Sequence, residues 1–184
     1  MIRYKTWLII AIALFGVGIV SGLAAPPSVV NLLSEEITAL EEFASLLAPL
    51  PQFLVFTIIF LKNTSTLLLS FLLSPILCLV PVLALTLNGW LLGFVSAIIV
   101  QEKSLGFVLA GLLPHGVFEL PALILGEAAA LSFGTVAILA LFKKERRSLL
   151  LPNVKQNLRY LLIAFALLLP AAIIETFVTP LLLT

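Results

Sequence analysis

Predominantly apolar residues run from Trp7 to Ala25, and Pro26-Pro27 ends the run. A helix needs about 20 such residues to cross the hydrocarbon core of a bilayer. The span 7–25 is the first stretch that meets this length. From Ser28 the pattern changes. Val30, Leu33, Ile37, Leu40, Ala44 and Leu47 recur at about a 3.6-residue period. Asn31, Ser34, Glu35, Thr38, Glu41, Glu42 and Ser45 take the opposite face. This spacing predicts an amphipathic helix over 28–48, too polar to span. Its polar face is acidic, so attraction to anionic lipid does not account for it. It is expected to lie along the extracytoplasmic interface or to pack on protein.

Pro49 to Val100 is apolar with only Lys62 charged, too long for one span and right for two. Pro75 and Pro81 mark the reversal, which predicts helices over 52–74 and 79–100 with Lys62 and Asn63 partway into the membrane. A polar turn, Gln101-Glu102-Lys103-Ser104, precedes a further apolar run from Leu105 to Phe142. Lys143-Lys144-Glu145-Arg146-Arg147 follows, a basic cluster expected on the cytoplasmic side, as are Arg3 and Lys5. An even number of crossings must then separate the two basic flanks, so 105–142 crosses once. That run exceeds one ideal span. Leu105–Leu113 is therefore expected to be re-entrant, broken at Pro114-His115-Gly116, with Val117–Phe142 completing the crossing. The last span is expected over 158–180, with the C-terminus outside. The small residues of Gly22-Leu23-Ala24-Ala25 would also suit a cleaved signal peptide. The apolar remainder of the chain favours a retained anchor. The predicted fold class is all-α: one membrane domain over 1–184, a polytopic bundle of about five spans with a broken helix near Pro114.

Composition agrees. Hydrophobic residues make up 62% of the chain and charged residues 10%, against roughly 25% charged in average soluble domains. So little charge cannot solvate the outside of a soluble fold, and the lipid bilayer becomes the principal partner. A net charge of +1 carries no nucleic-acid footprint. The lone cysteine, Cys78, excludes an intrachain disulfide and reads as a buried thiol.

Ionisable groups inside a membrane cost at least about 2.5–3.5 kcal/mol and usually face the bundle interior. His115, Glu119, Glu127 and Glu175 are such groups. His115 and Glu119 are four residues apart, hence neighbours on one helix face. A buried carboxylate needs a partner, and a histidine one turn away can share a proton with it. The pair reads either as a relay or ligand site, or as a polar clamp between helices. Pro121 frees the carbonyl of Val117 in the same window, so Pro114, Gly116 and Pro121 form a structural kink. Glu127 is turned by roughly 80° from Glu119 on a continuous helix, toward a different neighbour. Asn88-Gly89, with Gly93, supplies a small-residue face for close helix packing, the favoured reading, while Asn88 could also donate to a buried carboxylate. Asn63-Thr64-Ser65 matches a glycosylation sequon, a short signal of little weight inside an apolar run. No catalytic residue, cofactor or metal is expected. H-E-x-x-H, G-x-S-x-G and a Walker loop are all missing from the sequence, and catalytic zinc sites commonly use two or more histidines where this chain has one.

The segment Leu113-Pro114-His115-Gly116-Val117-Phe118-Glu119-Leu120-Pro121-Ala122 resembles the signature of the stage II sporulation protein M family. Leu87-Asn88-Gly89-Trp90-Leu91-Leu92-Gly93 and Ile174-Glu175-Thr176-Phe177-Val178-Thr179-Pro180 resemble two further elements of it. The resemblance implies a multi-span protein of the cytoplasmic membrane. In spore formers the namesake works as a scaffold with peptidoglycan-remodelling partners, and relatives also occur where there is no sporulation. Two non-enzymatic functions are weighed, beside an intramembrane enzyme that a water-accessible His115–Glu119 pair with a bound metal would support. One is a non-enzymatic scaffold or complex subunit, oligomeric or bound to membrane partners. The other is a small-solute or proton-coupled permease or channel using His115, Glu119 and Glu175. Convergence of those three on a wet cavity would favour the second.

Overall fold

The computed structural model of the chain describes residues 4–26 and 49–182, with positions 29, 38, 42, 45 and 46 between them. The amphipathic helix expected over 28–48 lies outside the described residues, those isolated positions apart. Among the described residues five long helices carry the fold: α1 (Tyr4–Leu23), α2 (Gln52–Leu73), α3 (Leu79–Glu102), α4 (Leu105–Phe142) and α5 (Leu150–Phe177). A 3-10 turn over Lys144–Leu149 joins α4 to α5, and a short α6 (Thr179–Leu182) closes the described chain. All five long helices are apolar enough to cross a membrane.

The helices alternate in direction. Gly18 and Gly22 of α1 meet Gly89 and Gly93 of α3 in the same order along both chains, so these two run parallel. A Cβ at Gly18 or Gly22 would collide with the α3 backbone, and one at Gly89 or Gly93 with that of α1. Small residues four apart allow this approach, and van der Waals contact holds it where lipid offers no hydrophobic drive. The expected packing role of Gly89 and Gly93 is therefore observed, with the partner stripe on α1.

Helix α4 is the axis of the molecule. One core joins it to α2 and α5 through Leu67, Phe71, Ala122, Ala129, Ala130, Leu161, Ala164 and Leu168. A second joins it to α1 and α3 through Ala11, Phe15, Leu85, Ala128 and Leu131. The buried run Ala128-Ala129-Ala130 keeps α4 thin enough to be gripped from both sides.

The break expected at Pro114-His115-Gly116 is not formed. Helix α4 continues through Pro114 and Pro121 as one element of 38 residues. Each proline removes one backbone hydrogen bond. Leaving the helix would orphan several more polar groups where no water can satisfy them, at a cost of several kcal/mol each. Continuation is the cheaper outcome. The last span also starts earlier than expected, at Leu150 rather than 158. Asn153 and Asn157 depress the hydropathy of its first turns, but both are buried. Asn157 donates to Ser132 Oγ at 3.1 Å and to Asn153 Oδ1 at 2.9 Å, and Asn153 donates to Ser132 Oγ at 3.3 Å.

The reversal between α2 and α3 is tight. Leu77 and Cys78 take φ of 53° and 55°, left-handed values that cost a non-glycine residue about 1 kcal/mol or more. The turn is held by Cys78 N donating to Ser74 O at 2.9 Å and Ser74 Oγ donating to Phe71 O at 2.8 Å. It docks on α4 where Gly134 leaves room for the Ser74 carbonyl.

Candidate functional site: a polar cavity between the helices

A cavity of about 580 Å³ lies in the half of the bundle away from the basic segment 143–147. Every long helix contributes to its wall. The apolar part comes from Phe15 of α1, Leu67 of α2, Leu92 and Val95 of α3, Leu112 of α4 and Leu168 of α5. The polar groups are Asn63, Thr66, Asn88, Ser96, His115, Glu119 and Glu175. A mostly apolar pocket with a few convergent polar groups is the usual form of a small-molecule site.

His115 and Glu119 share one face of α4, as their spacing predicts, with His115 Nε2 3.8 Å from Glu119 Oε2. That distance is too long for a direct hydrogen bond, whose N–O separation is about 2.7–3.2 Å. Glu175 reaches the same point from the far end of α5. One ligand atom from each of His115, Glu119 and Glu175 lies within 4.8 Å of the other two. His115 Nδ1 is 3.3 Å from Thr179 Oγ1, which fixes the ring from behind. Asn63 Nδ2 donates to Glu119 Oε1 at 3.3 Å from α2. The Glu119 side chain keeps 33% of its surface and His115 13%, so the group faces open space within the cavity. The three side chains could hold a metal ion. The single histidine argued against such a site because catalytic zinc commonly takes more than one, yet two carboxylates supply the missing donors.

Two of the predicted residues do other work. Asn88 lines the cavity, but its Nδ2 donates to Ala84 O of its own helix at 2.7 Å and not to a carboxylate. A side chain one turn from its own backbone acceptor has the shorter reach. Glu127 is turned away from Glu119, toward α2, and is fully buried. There Ser70 Oγ donates to Glu127 Oε2. Asn63-Thr64-Ser65 lies inside α2 rather than in a loop. Sequence reasoning missed the Ser132–Asn153–Asn157 cluster near the other end. The signal was present: Asn153 and Asn157 are four apart on α5.

A bundle of five membrane-length helices around a polar cavity defines this chain as a polytopic α-helical membrane protein. The family model for stage II sporulation protein M matches residues 11–180, which include every polar residue of the cavity. The chain belongs to the stage II sporulation protein M family. An uncharacterized protein of Methanocaldococcus jannaschii is 31% identical over 97 residues, 52% of this chain and 54% of that protein. The matched stretch thus spans about half of that relative's length. No solved structure matches the chain.

Proposed function

We propose that this protein is a non-enzymatic membrane protein that binds a small polar solute or ion in the His115–Glu119–Glu175 cavity, as the core of a permease or channel-like unit in the cytoplasmic membrane. The observation that carries this reading is the convergence of one imidazole and two carboxylates, from helices far apart in sequence, on one roomy cavity. A clamp between helices would bury and pair these groups directly. Here Glu119 stays partly open and stands off from His115. Ionisable side chains at membrane depth line solute and proton pathways in transport proteins. The basic cluster Lys143–Arg147 supports a cytoplasmic position for that segment, with the N-terminus inside, the C-terminus outside and the cavity in the outer half.

The test is proton or solute flux into sealed proteoliposomes, read with an entrapped pH dye. Wild-type protein should raise flux above protein-free vesicles, and Glu119→Gln should abolish the difference while the protein stays folded. Flux equal to that of empty vesicles would reject this reading.

A second reading, a scaffold or subunit that assembles with membrane partners or with itself, is supported by α2. That helix exposes Phe53, Leu61, Leu69 and Leu72 along most of its length and is the least buried of the five. On this reading Glu119→Gln would reduce co-purification of partners or oligomer size and leave flux unaffected.

A further inference from the structure

The spacing of the cavity's polar groups is that of donors around an ion. Ligands about 2.1 Å from one metal stand roughly 3.4 Å apart in a tetrahedron and about 4.2 Å apart when opposite. The three donor atoms here lie within 4.8 Å of each other, so small side-chain rotations close the set. The 3.8 Å gap between His115 Nε2 and Glu119 Oε2 is too wide for a shared proton and suits an ion seated between them.

Charge selects the kind of ion. Two carboxylates and a neutral imidazole carry two negative charges, which a divalent cation cancels. A neutral filled site is what a low-dielectric surround favours. Donor type narrows it further. Mixed imidazole and carboxylate donors suit Zn2+, Fe2+ and Mn2+, while Ca2+ takes six or more oxygens and Mg2+ keeps most of its water. Thr179 supplies the outer support: with Nδ1–H donating to its Oγ1, the Nε2 lone pair of His115 is left for the metal. Asn63 offers a fourth donor if its amide is turned, since its Nδ2 already stands 3.3 Å from Glu119 Oε1. Lys62 acts on the charge of Glu175 and is the competing cation.

Resting on the reading of the cavity as a ligand site, we propose that His115, Glu119 and Glu175 bind a single divalent transition-metal cation. The site draws one residue pair from α4 and one residue from α5, so it would also bridge the two helices.

The experiment uses the full chain in detergent, purified through a tag without histidine, because His115 is the sole histidine. Equilibrium binding of Mn2+ and of Zn2+ is measured, and pulsed EPR of bound Mn2+ counts coupled nitrogens. Wild-type protein should bind one ion per chain with a single imidazole nitrogen coupling. That coupling should vanish in His115→Ala. Glu175→Gln should weaken binding by about tenfold or more, and Thr179→Val by about ten- to a hundredfold, the range for a supporting contact. Lys62→Gln should tighten it. Elution profile and helicity establish that each variant is folded, and the wild-type spectrum depends on no variant. Failure of the wild type to bind either ion stoichiometrically, or a nitrogen coupling that survives in His115→Ala, would overturn the assignment. If binding fails while Glu119-dependent flux persists, the metal assignment alone falls. If both fail, the cavity reading falls with it.

Discussion

Glu119 and Glu127 sit two turns apart on α4 and meet opposite surroundings. Glu119 opens onto the cavity beside His115, whereas Glu127 is 0% exposed and is met by the Ser70 hydroxyl. Its other oxygen, Oε1, has no partner among the described residues. Ser70→Ala would leave the whole carboxyl unsatisfied and should destabilise the protein by about 1–3 kcal/mol, read as an earlier midpoint in detergent unfolding. The cavity side chains should show the reverse profile. Glu175→Gln should change ligand binding far more than the unfolding midpoint. At this scale the sequence was partly legible. The four-residue spacing of His115 and Glu119 was enough to place them together. Glu175 was flagged by its depth in an apolar run, but nothing local could say that α5 delivers it to the same point. Of the two readings of Asn88, donation to a carboxylate is not formed, because its own helix supplies a nearer acceptor, Ala84 O.

Helix contacts depend on where a side chain would collide. Gly16 and Gly18 are both on α1, and only one is engaged. Among the described residues a Cβ at Gly16 meets nothing within 4 Å, while at Gly18 it strikes the backbone of α3 at Thr86. Gly16→Ala should be neutral or stabilise by up to about 0.5–1 kcal/mol. Gly18→Ala should destabilise by about 1–3 kcal/mol through overpacking. Measured in the same detergent, only Gly18→Ala should lower the unfolding midpoint, and equal effects would dismiss the glycine contact. Gly134→Ala should likewise unseat the α2–α3 turn, because its Cβ would meet Ser74 O. Element type and order were legible from run lengths and polar breaks. The fate of Pro114-His115-Gly116 was not. Proline statistics describe water-exposed chains, and in lipid the cost of orphaned backbone keeps α4 intact. The start of α5 was hidden for a related reason: Asn153 and Asn157 look like the edge of a span, but they hydrogen-bond to each other and to Ser132 inside the bundle.

The molecule as a whole is two helix pairs gripping a central helix, α1 with α3 on one side and α2 with α5 on the other. The cavity is walled by all five long helices, in the half of the bundle away from Lys143–Arg147. Replacing the four basic residues of that cluster with glutamine should weaken the orientation bias, read as a mixed signal from a topology reporter fused after Ser148. A reporter signal that stays wholly cytoplasmic would assign the orientation to Arg3 and Lys5 instead. The central claim is that a water-reachable polar cavity exists inside this apolar bundle. Its most direct test is thiol accessibility in sealed membranes, in a Cys78→Ser background. Asn63→Cys and Glu175→Cys should react with a charged, membrane-impermeant thiol reagent, and Glu127→Cys should not. Protection of all three positions, or equal labelling at Glu127→Cys, would contradict the account.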